Sequence, residues 1–271
     1  MTSPLNICVI GAAGRMGRLI LREAIIRSDL NLVGGVVSHD SVHLNEDLGD
    51  LAELRPAGVE AMVSIEQAAA SADVMIDVSA AHVTPAIAER LLEAKGGPAL
   101  VCGVTGLDEA AMEALKAASV HTPVFYARNF SPGAALMERL VALAAGVLTP
   151  ESWDIEIVEA HHRRKTDAPS GTALMIGEAA ADARGQSLDD EAIYARPRSG
   201  ASRPVGAIGF SAIRGGAVIG EHSARFLSAF EELEVRHKAH DRFVFVRGAI
   251  DAALWMAGRE PGFYSMQDMI A

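Results

Sequence analysis

The feature that most constrains the fold is the junction at the start of the chain. Leu5 to Ile10 is an essentially apolar run, the pattern of a strand buried on both faces, as strands of parallel sheets are. Gly11-Ala12-Ala13-Gly14-Arg15-Met16-Gly17 follows at once, and Leu19, Ile20, Ala24 and Ile25 then fall on one helical face. Strand, glycine turn and helix in direct succession are the opening of a dinucleotide-binding fold. Glycine lets the backbone approach a pyrophosphate, and the helix N-terminus stabilises its charge. The spacing is Gly-x-x-Gly-x-x-Gly, with Ala13 where a second glycine usually stands. The candidate cofactor residues here are Gly11, Ala12, Ala13, Gly14, Arg15 and Met16.

The same rhythm continues. Strands are expected over Asn31 to Val37, Asp73 to Val78, Pro98 to Cys102 and Pro123 to Tyr126, with a short one over Met62 to Ser64. Helices are expected over Ile65 to Ser71, Thr84 to Glu93 and Asp108 to Ala118, the last with Asp108 as N-cap. Residues 39–58 read as a loop with one short helix. Alternating strands and helices imply an α/β, Rossmann-like parallel sheet, with ligands beyond the carboxyl ends of its strands. The turns at Gly103 and Asn129 lie at such ends. The second strand should end beside the adenosine ribose, where an acid favours NAD and small polar or basic groups tolerate NADP. Ser38 and His39 stand there, and with Arg15 they lean toward NADPH; Asp40 leaves NADH open.

The rhythm changes after about residue 130. A helix is expected over Ala134 to Gly146, and Trp153 to Ala160 reads as a strand with Asp154, Glu156 and Glu159 on one polar face. An alanine-rich helix is expected from Gly171 to Ala183. Residues 184–204, with Gly185, Pro197, Gly200 and Pro204, read as a long mobile loop. Strands follow over Ala207 to Ile213, Val218 to Leu227 and Glu231 to His237, the first two joined as a hairpin at Gly215-Gly216. Four strands with few helices imply an open sheet with a helix-covered face that subunit contacts can bury. Asp241 to Ala257 reads as a helix.

Between strand and helix lies the stretch that carries chemistry: Glu159-Ala160-His161-His162-Arg163-Arg164-Lys165-Thr166-Asp167-Ala168-Pro169-Ser170-Gly171-Thr172-Ala173. Histidine exchanges a proton near neutral pH. Lysine is a point charge that can donate one. A helix N-terminus capped by Ser170 presents N–H groups to a carboxylate or phosphate. Acid, charge and anion seat together point to proton transfer to a small anion. Zinc would need further ligands at workable spacing, and the neighbouring sequence has no helical His-Glu-x-x-His. His222 and His237 read as structural histidines of the strands.

His161-His162-x-x-Lys165-x-Asp167-Ala168-Pro169-Ser170-Gly171-Thr172-Ala173 resembles the signature of the 4-hydroxy-tetrahydrodipicolinate (dihydrodipicolinate) reductase family. The glycine loop, Asn129-Phe130-Ser131 and the tail Pro261-Gly262-Phe263-Tyr264-Ser265-Met266-Gln267-Asp268 are similar to it too. The resemblance implies NAD(P)H-dependent reduction of that substrate with loss of water, in the diaminopimelate and lysine pathway. It implies His161 as acid and Lys165 as second proton donor. His162, Gly171 and Thr172 would hold a dicarboxylate. Gly103, Val104 and Thr105, with Ala127, Arg128, Asn129 and Phe130, would line the nicotinamide side. The family often has an acid followed by arginine where this chain has Ser38 and His39. The resemblance also implies a homotetramer and a chain divided into residues 1–130 completed by 241–271, for the cofactor, and 131–240, for substrate and oligomerisation. Another two-domain NAD(P) dehydrogenase, or a non-catalytic NADP sensor, would keep the glycine loop without needing His161 and Lys165.

Composition adds exclusions. A formal charge of −11 over 271 residues argues against nonspecific binding to nucleic acid or anionic membrane. No apolar run is long enough to span a bilayer, and residues 1–20 lack the pattern of a secretory signal. Cys8 and Cys102 sit in or at the end of expected core strands and read as small buried hydrophobes, consistent with a reducing cytoplasm.

Overall fold

The computed structural model describes residues 3–196, 200 and 202–271. They form two compact units: one ends at Phe130 and resumes over Phe243–Ala271, and the other is Ser131–Arg242.

The first unit runs β1 (Leu5–Ile10), α1 (Arg15–Ile26), β2 (Leu30–Val36), α2 (Leu48–Leu51), β3 (Ala61–Met62), α3 (Ile65–Ala69), β4 (Val74–Asp77), α4 (Thr84–Ala94), β5 (Ala99–Cys102), α5 (Glu109–Ala118) and β6 (Pro123–Tyr126). Its sheet has seven strands in the order β12-β6-β5-β4-β1-β2-β3, where β12 is a late strand described below. Every pairing is parallel. Burial explains the sequence pattern: β4 and β5 are buried at every position, and α1 turns Gly17, Ile20, Leu21 and Ala24 inward. Asp108 caps α5, accepting from the Ala111 amide at 2.8 Å. From β1 the chain builds outward to β2 and β3, then returns to β4 on the other side of β1. That reversal is the switch point at which open α/β sheets hold ligands. The two cysteines are free and buried, and burial pushes both thiols up to about 12.

The second unit runs α6 (Pro132–Val147), β7 (Asp154–His161), α7 (Gly171–Ala183), α8 (Leu188–Glu191), β8 (Ala192–Ile193), β9 (Ile208–Arg214), β10 (Gly220–Leu227) and β11 (Glu232–Ala239). Its sheet is mixed, in the order β11-β10-β7-β9-β8. Helices α6 and α7 supply Met137, Val141, Ala173, Ile176 and Ala180 to a core completed by Ile155, Ile157, Phe210, Ala224 and Phe226. The sheet's other side is laced with ion pairs: Glu221 meets Arg236 and Lys238, and Arg225 meets Glu232.

Three expectations need correction here. β9 and β10 are not a hairpin: β7 lies between them, parallel to β9 and antiparallel to β10. Gly215 and Gly216 instead cross the end of β7, where the Gly215 amide donates to the His161 carbonyl at 3.0 Å and the Arg163 amide to the Gly216 carbonyl at 3.3 Å. Residues 184–204 are not one loop, because α8 and β8 fall within them and make β8 a fifth strand; Pro197 lies outside the described residues. Nor do Asp154, Glu156 and Glu159 share a face. Successive strand side chains alternate, so Glu159 falls with Ile155, Ile157 and His161 on the buried face.

The chain then returns to the first unit as α9 (Phe243–Met256), β12 (Gly262–Tyr264) and α10 (Met266–Met269). β12 pairs parallel with β6, and Trp255 stands edge-on to Phe125 and Tyr264 at 6.0 and 5.5 Å. Three residues are too few to show a strand period, which is why sequence reading passed β12 over.

Candidate active site

In the first unit the candidate cofactor residues cluster at strand ends. Gly11 leaves β1 with φ +84°. A side-chain carbon on it would stand 2.8 Å from the Ser79 backbone, and one on Gly17 would stand 2.2 Å from the Gly11 carbonyl oxygen. The loop is therefore flat against strand end and helix, and only glycine fits. Gly14 is the N-cap of α1 and brings no side-chain acceptor to the first-turn amides. Those amides form an anion seat of the kind a pyrophosphate takes. A nicotinamide dinucleotide fits this cradle.

Arg18, which sequence reading missed, clamps the loop by donating to Ala13 O at 3.0 Å and Leu51 O at 3.2 Å, with His43 Nε2 at 2.8 Å. Ser38, His39 and Asp40 are all exposed past β2. The Ser38 hydroxyl bonds the Asp40 carboxylate and, with the nearby His39 charge, holds it below the usual carboxylate range. At the ends of β5 and β6, Val104, Ala127 and Phe130 are buried, while Thr105 and Arg128 are exposed. Phe130 stacks on Phe125 at 6.3 Å. Asp77, also missed, is fully buried and accepts from the Ser79 amide at 3.0 Å, the Ser79 hydroxyl at 2.6 Å and Thr84 at 3.0 Å. It shapes the turn against which Gly11 packs.

In the second unit β7 delivers His161 as its last residue, on the buried face. His161 Nδ1 lies 2.7 Å from Glu159 Oε2. Arg214, opposite His161 in the β7–β9 register, grips both Glu159 oxygens at 2.6 Å and also donates to Asp167 O at 2.6 Å. The Ser170 amide donates to Glu159 Oε1 at 3.1 Å. Burial works to raise the Glu159 carboxyl, but the bonds from His161 and Arg214 outweigh it and hold it at about 2. The ordinary glutamate value lies well above, so Glu159 is a carboxylate that stabilises the fold when ionised.

That stability is complete above the unfolded-state value and is lost as pH falls toward 2, a contribution of roughly 3 kcal/mol. Acid unfolding followed by circular dichroism should therefore show the wild type losing stability between roughly pH 5 and pH 2 more steeply than Glu159→Gln. Equal slopes would count against it.

Ser170 caps α7, accepting from the Ala173 amide at 3.2 Å, and its hydroxyl faces His222 Nε2 at 3.0 Å. His222 lies opposite Glu159 in the β7–β10 register, edge-on to the His161 ring at 5.2 Å. Burial first, then the neighbouring His161 charge, pulls His222 down to about 3, so it stays neutral. Gly171 and Thr172 are the first two residues of α7. Lys165 pairs with Asp167 at 2.8 Å. His162 is half-buried and its Nδ1 lacks a hydrogen-bond partner; burial and then the charges of Arg242 and Arg164 lower its pKa. Arg163 and Arg164 are exposed. The structure thus brings His161, Glu159, Arg214, Ser170 and His222 into one hydrogen-bonded group. Of these, Arg214 was not singled out in sequence and His222 was read as structural only. The signal for Glu159 was available: it shares the strand parity of His161. No group of three His, Cys, Asp or Glu suited to a metal occurs among the described residues.

Fold and site define a nicotinamide-dependent oxidoreductase built from two units. Residues 5–130 match the family model for the N-terminus of dihydrodipicolinate reductase, and residues 133–270 that for its C-terminus. The chain belongs to the dihydrodipicolinate reductase family. It is 43% identical over 266 residues to a 4-hydroxy-tetrahydrodipicolinate reductase of Alkalilimnicola ehrlichii, covering 98% of each chain. It is also 43% identical over 273 residues to one of Parvibaculum lavamentivorans, covering 100% of this chain and 99% of that one. A solved, dipicolinate-bound dihydrodipicolinate reductase from Paenisporosarcina shares the fold, with a TM-score of 0.73 at 21% identity over 98% of this chain and 99% of that one. The fold alone is also shared by a myo-inositol 2-dehydrogenase of Lactobacillus plantarum, with a TM-score of 0.60 at 13% identity over 98% and 93%.

Proposed function

We infer that the chain reduces 4-hydroxy-tetrahydrodipicolinate to tetrahydrodipicolinate with NAD(P)H and loss of water, in diaminopimelate and lysine biosynthesis. The observation that carries the reading is His161 at the end of β7, its Nδ1 engaged by Glu159 beside the capped start of α7. The bound nicotinamide cofactor supplies a hydride. A hydride arriving on a conjugated carbon–nitrogen system leaves negative charge, and His161 quenches it as general acid through Nε2. Lys165 stabilises the developing charge and serves as second proton donor; its ammonium is held by Asp167 until a substrate carboxylate competes for it. His162, Gly171 and Thr172 hold the dicarboxylate, the last two by the helix N-terminus.

Gly11, Ala12, Ala13, Gly14, Arg15 and Met16 seat the pyrophosphate. Ser38 and His39 lie by the ribose. Gly103 to Thr105 and Ala127 to Phe130 line the nicotinamide. NADPH is preferred, supported by Ser38 and His39 where an acid would select NADH; the carboxylate of Asp40 keeps NADH usable. The protein works as a homotetramer assembled through the second unit, in the cytoplasm; among the described residues no helix is long and apolar enough to cross a membrane. The dehydrogenase and sensor readings are not favoured, because the family is shown over both units.

The test is a coupled assay in which a synthase makes the unstable substrate from pyruvate and aspartate semialdehyde, with oxidation of NADPH and NADH followed separately. Oxidation of either establishes the reductase, with NADPH the faster. A Ser38→Asp variant should move the ratio of kcat/KM toward NADH by about tenfold, one charge contact's worth. A folded protein that binds cofactor and oxidises neither nucleotide would sink the reading.

A further inference from the structure

The ion pair of Glu159 and Arg214 does more than close a core. Four donors reach the two Glu159 oxygens: His161 Nδ1 and Arg214 on Oε2, and the Ser170 amide and Arg214 on Oε1. A carboxylate has about four acceptor positions, so the group is saturated and its orientation is fixed. An ionised carboxylate only accepts. His161 Nδ1 therefore always carries a hydrogen, and Nε2 is always the ring atom that gains or gives up the exchangeable proton. Arg214 shares the same carboxylate, so the imidazolium faces a charge already half neutralised. Without Arg214 the ring would face the full charge of Glu159.

We propose that Glu159 and Arg214 are positioning residues that fix the His161 tautomer and set how readily it surrenders its proton, Glu159 by attraction and Arg214 by tempering that attraction. The inference rests on the reading of His161 as the acid. The other groups facing His161 do not duplicate the role. Just past the end of β7 comes His162; on β10 His222 stays neutral, its Nε2 bonded to the Ser170 hydroxyl; in the loop before α7 Lys165 is paired to Asp167. Among the described residues, only Glu159 bonds the ring, and only Arg214 shares that carboxylate through charge.

The experiment uses the full-length protein with histidine labelled in ¹⁵N, in Glu159→Gln, Glu159→Asp, Arg214→Met, Arg214→Lys and His161→Gln. Turnover that needs protonated His161 falls as pH rises. Removing the Glu159 charge should move that alkaline limb of kcat to lower pH. Removing the Arg214 charge should move it to higher pH. A structural defect alone would not give opposite directions. In Glu159→Gln the imidazole ¹⁵N shifts should show that the fixed Nδ1–H form is lost, and kcat should fall about 10²-fold with substrate KM within about threefold. Glu159→Asp should restore part of the loss, and Arg214→Lys should leave the limb nearer its wild-type position than Arg214→Met does. Limbs that move together or not at all, with the wild-type tautomer kept, overturn the proposal. If Glu159→Gln does not fold, the Arg214 pair carries the same test. Failure of the acid reading looks different: His161→Gln would then turn over normally, whatever the other variants do.

Discussion

Replacing His161 with glutamine is expected to lower turnover roughly 10²–10⁴-fold, the usual share of a general acid, while the dissociation constant for NADPH stays unchanged. Glutamine nearly matches the imidazole in reach, and its amide can still donate to Glu159, so the buried carboxylate keeps its partners. What glutamine cannot do is carry a proton between water and substrate. The proposed cofactor residues lie in the other unit, outside the hydrogen-bonded group that His161 belongs to. Single-turnover kinetics, with cofactor fluorescence for binding, separate the two effects. A normal rate would remove His161 from the chemistry, and weakened cofactor binding would mean that the substitution had disturbed more than a proton.

The second large effect is expected at Gly17. A side chain there meets the Gly11 carbonyl oxygen at 2.2 Å and the Ala12 carbonyl oxygen at 2.8 Å, both of them backbone that cannot turn aside. Gly17→Val must push α1 away from the loop. Overpacking of this kind costs about 1–3 kcal/mol, and the displaced helix N-terminus loses its aim at the pyrophosphate. The expected result is a lowered melting temperature and a dissociation constant for NADPH raised about 10–10²-fold. Both quantities unchanged would mean that the loop has slack the structure does not show, and the cofactor seat would have to be sought elsewhere.

Much of the first unit could be read from sequence because its strands are buried on both faces and its helices on one. Leu5 to Ile10 and Asp73 to Val78 announce themselves as short, largely apolar runs, and Thr84 to Glu93 by its helical period. Pairing order is another matter. Gly215-Gly216 has the composition of a hairpin, and nothing local reveals that β7, some fifty residues earlier, is inserted between the two strands it joins. β8 and β12 are too short for any period to register. At the site, His161, Lys165 and Ser170 were legible as residue types that carry charge or cap helices. Arg214 was not, since its role depends on facing His161 across a parallel ladder, a relation between positions far apart in the chain. Glu159 was half legible: its charge was noticed, its strand parity was misread, and parity is what buries it.

The return of α9 and β12 to the first unit has a consequence in time. On the ribosome, β1 to β6 emerge first, yet the helix that packs across β4 to β6 and the strand that borders β6 are translated last, after all of Ser131–Arg242. The later-made unit is contiguous and can close as soon as its last strand appears. The earlier-made one must wait with its sheet edge and one helical berth unfilled. During synthesis the parallel-sheet unit is thus the part left open longest, and a stalled or clipped product would hold a finished second unit and an unfinished first one.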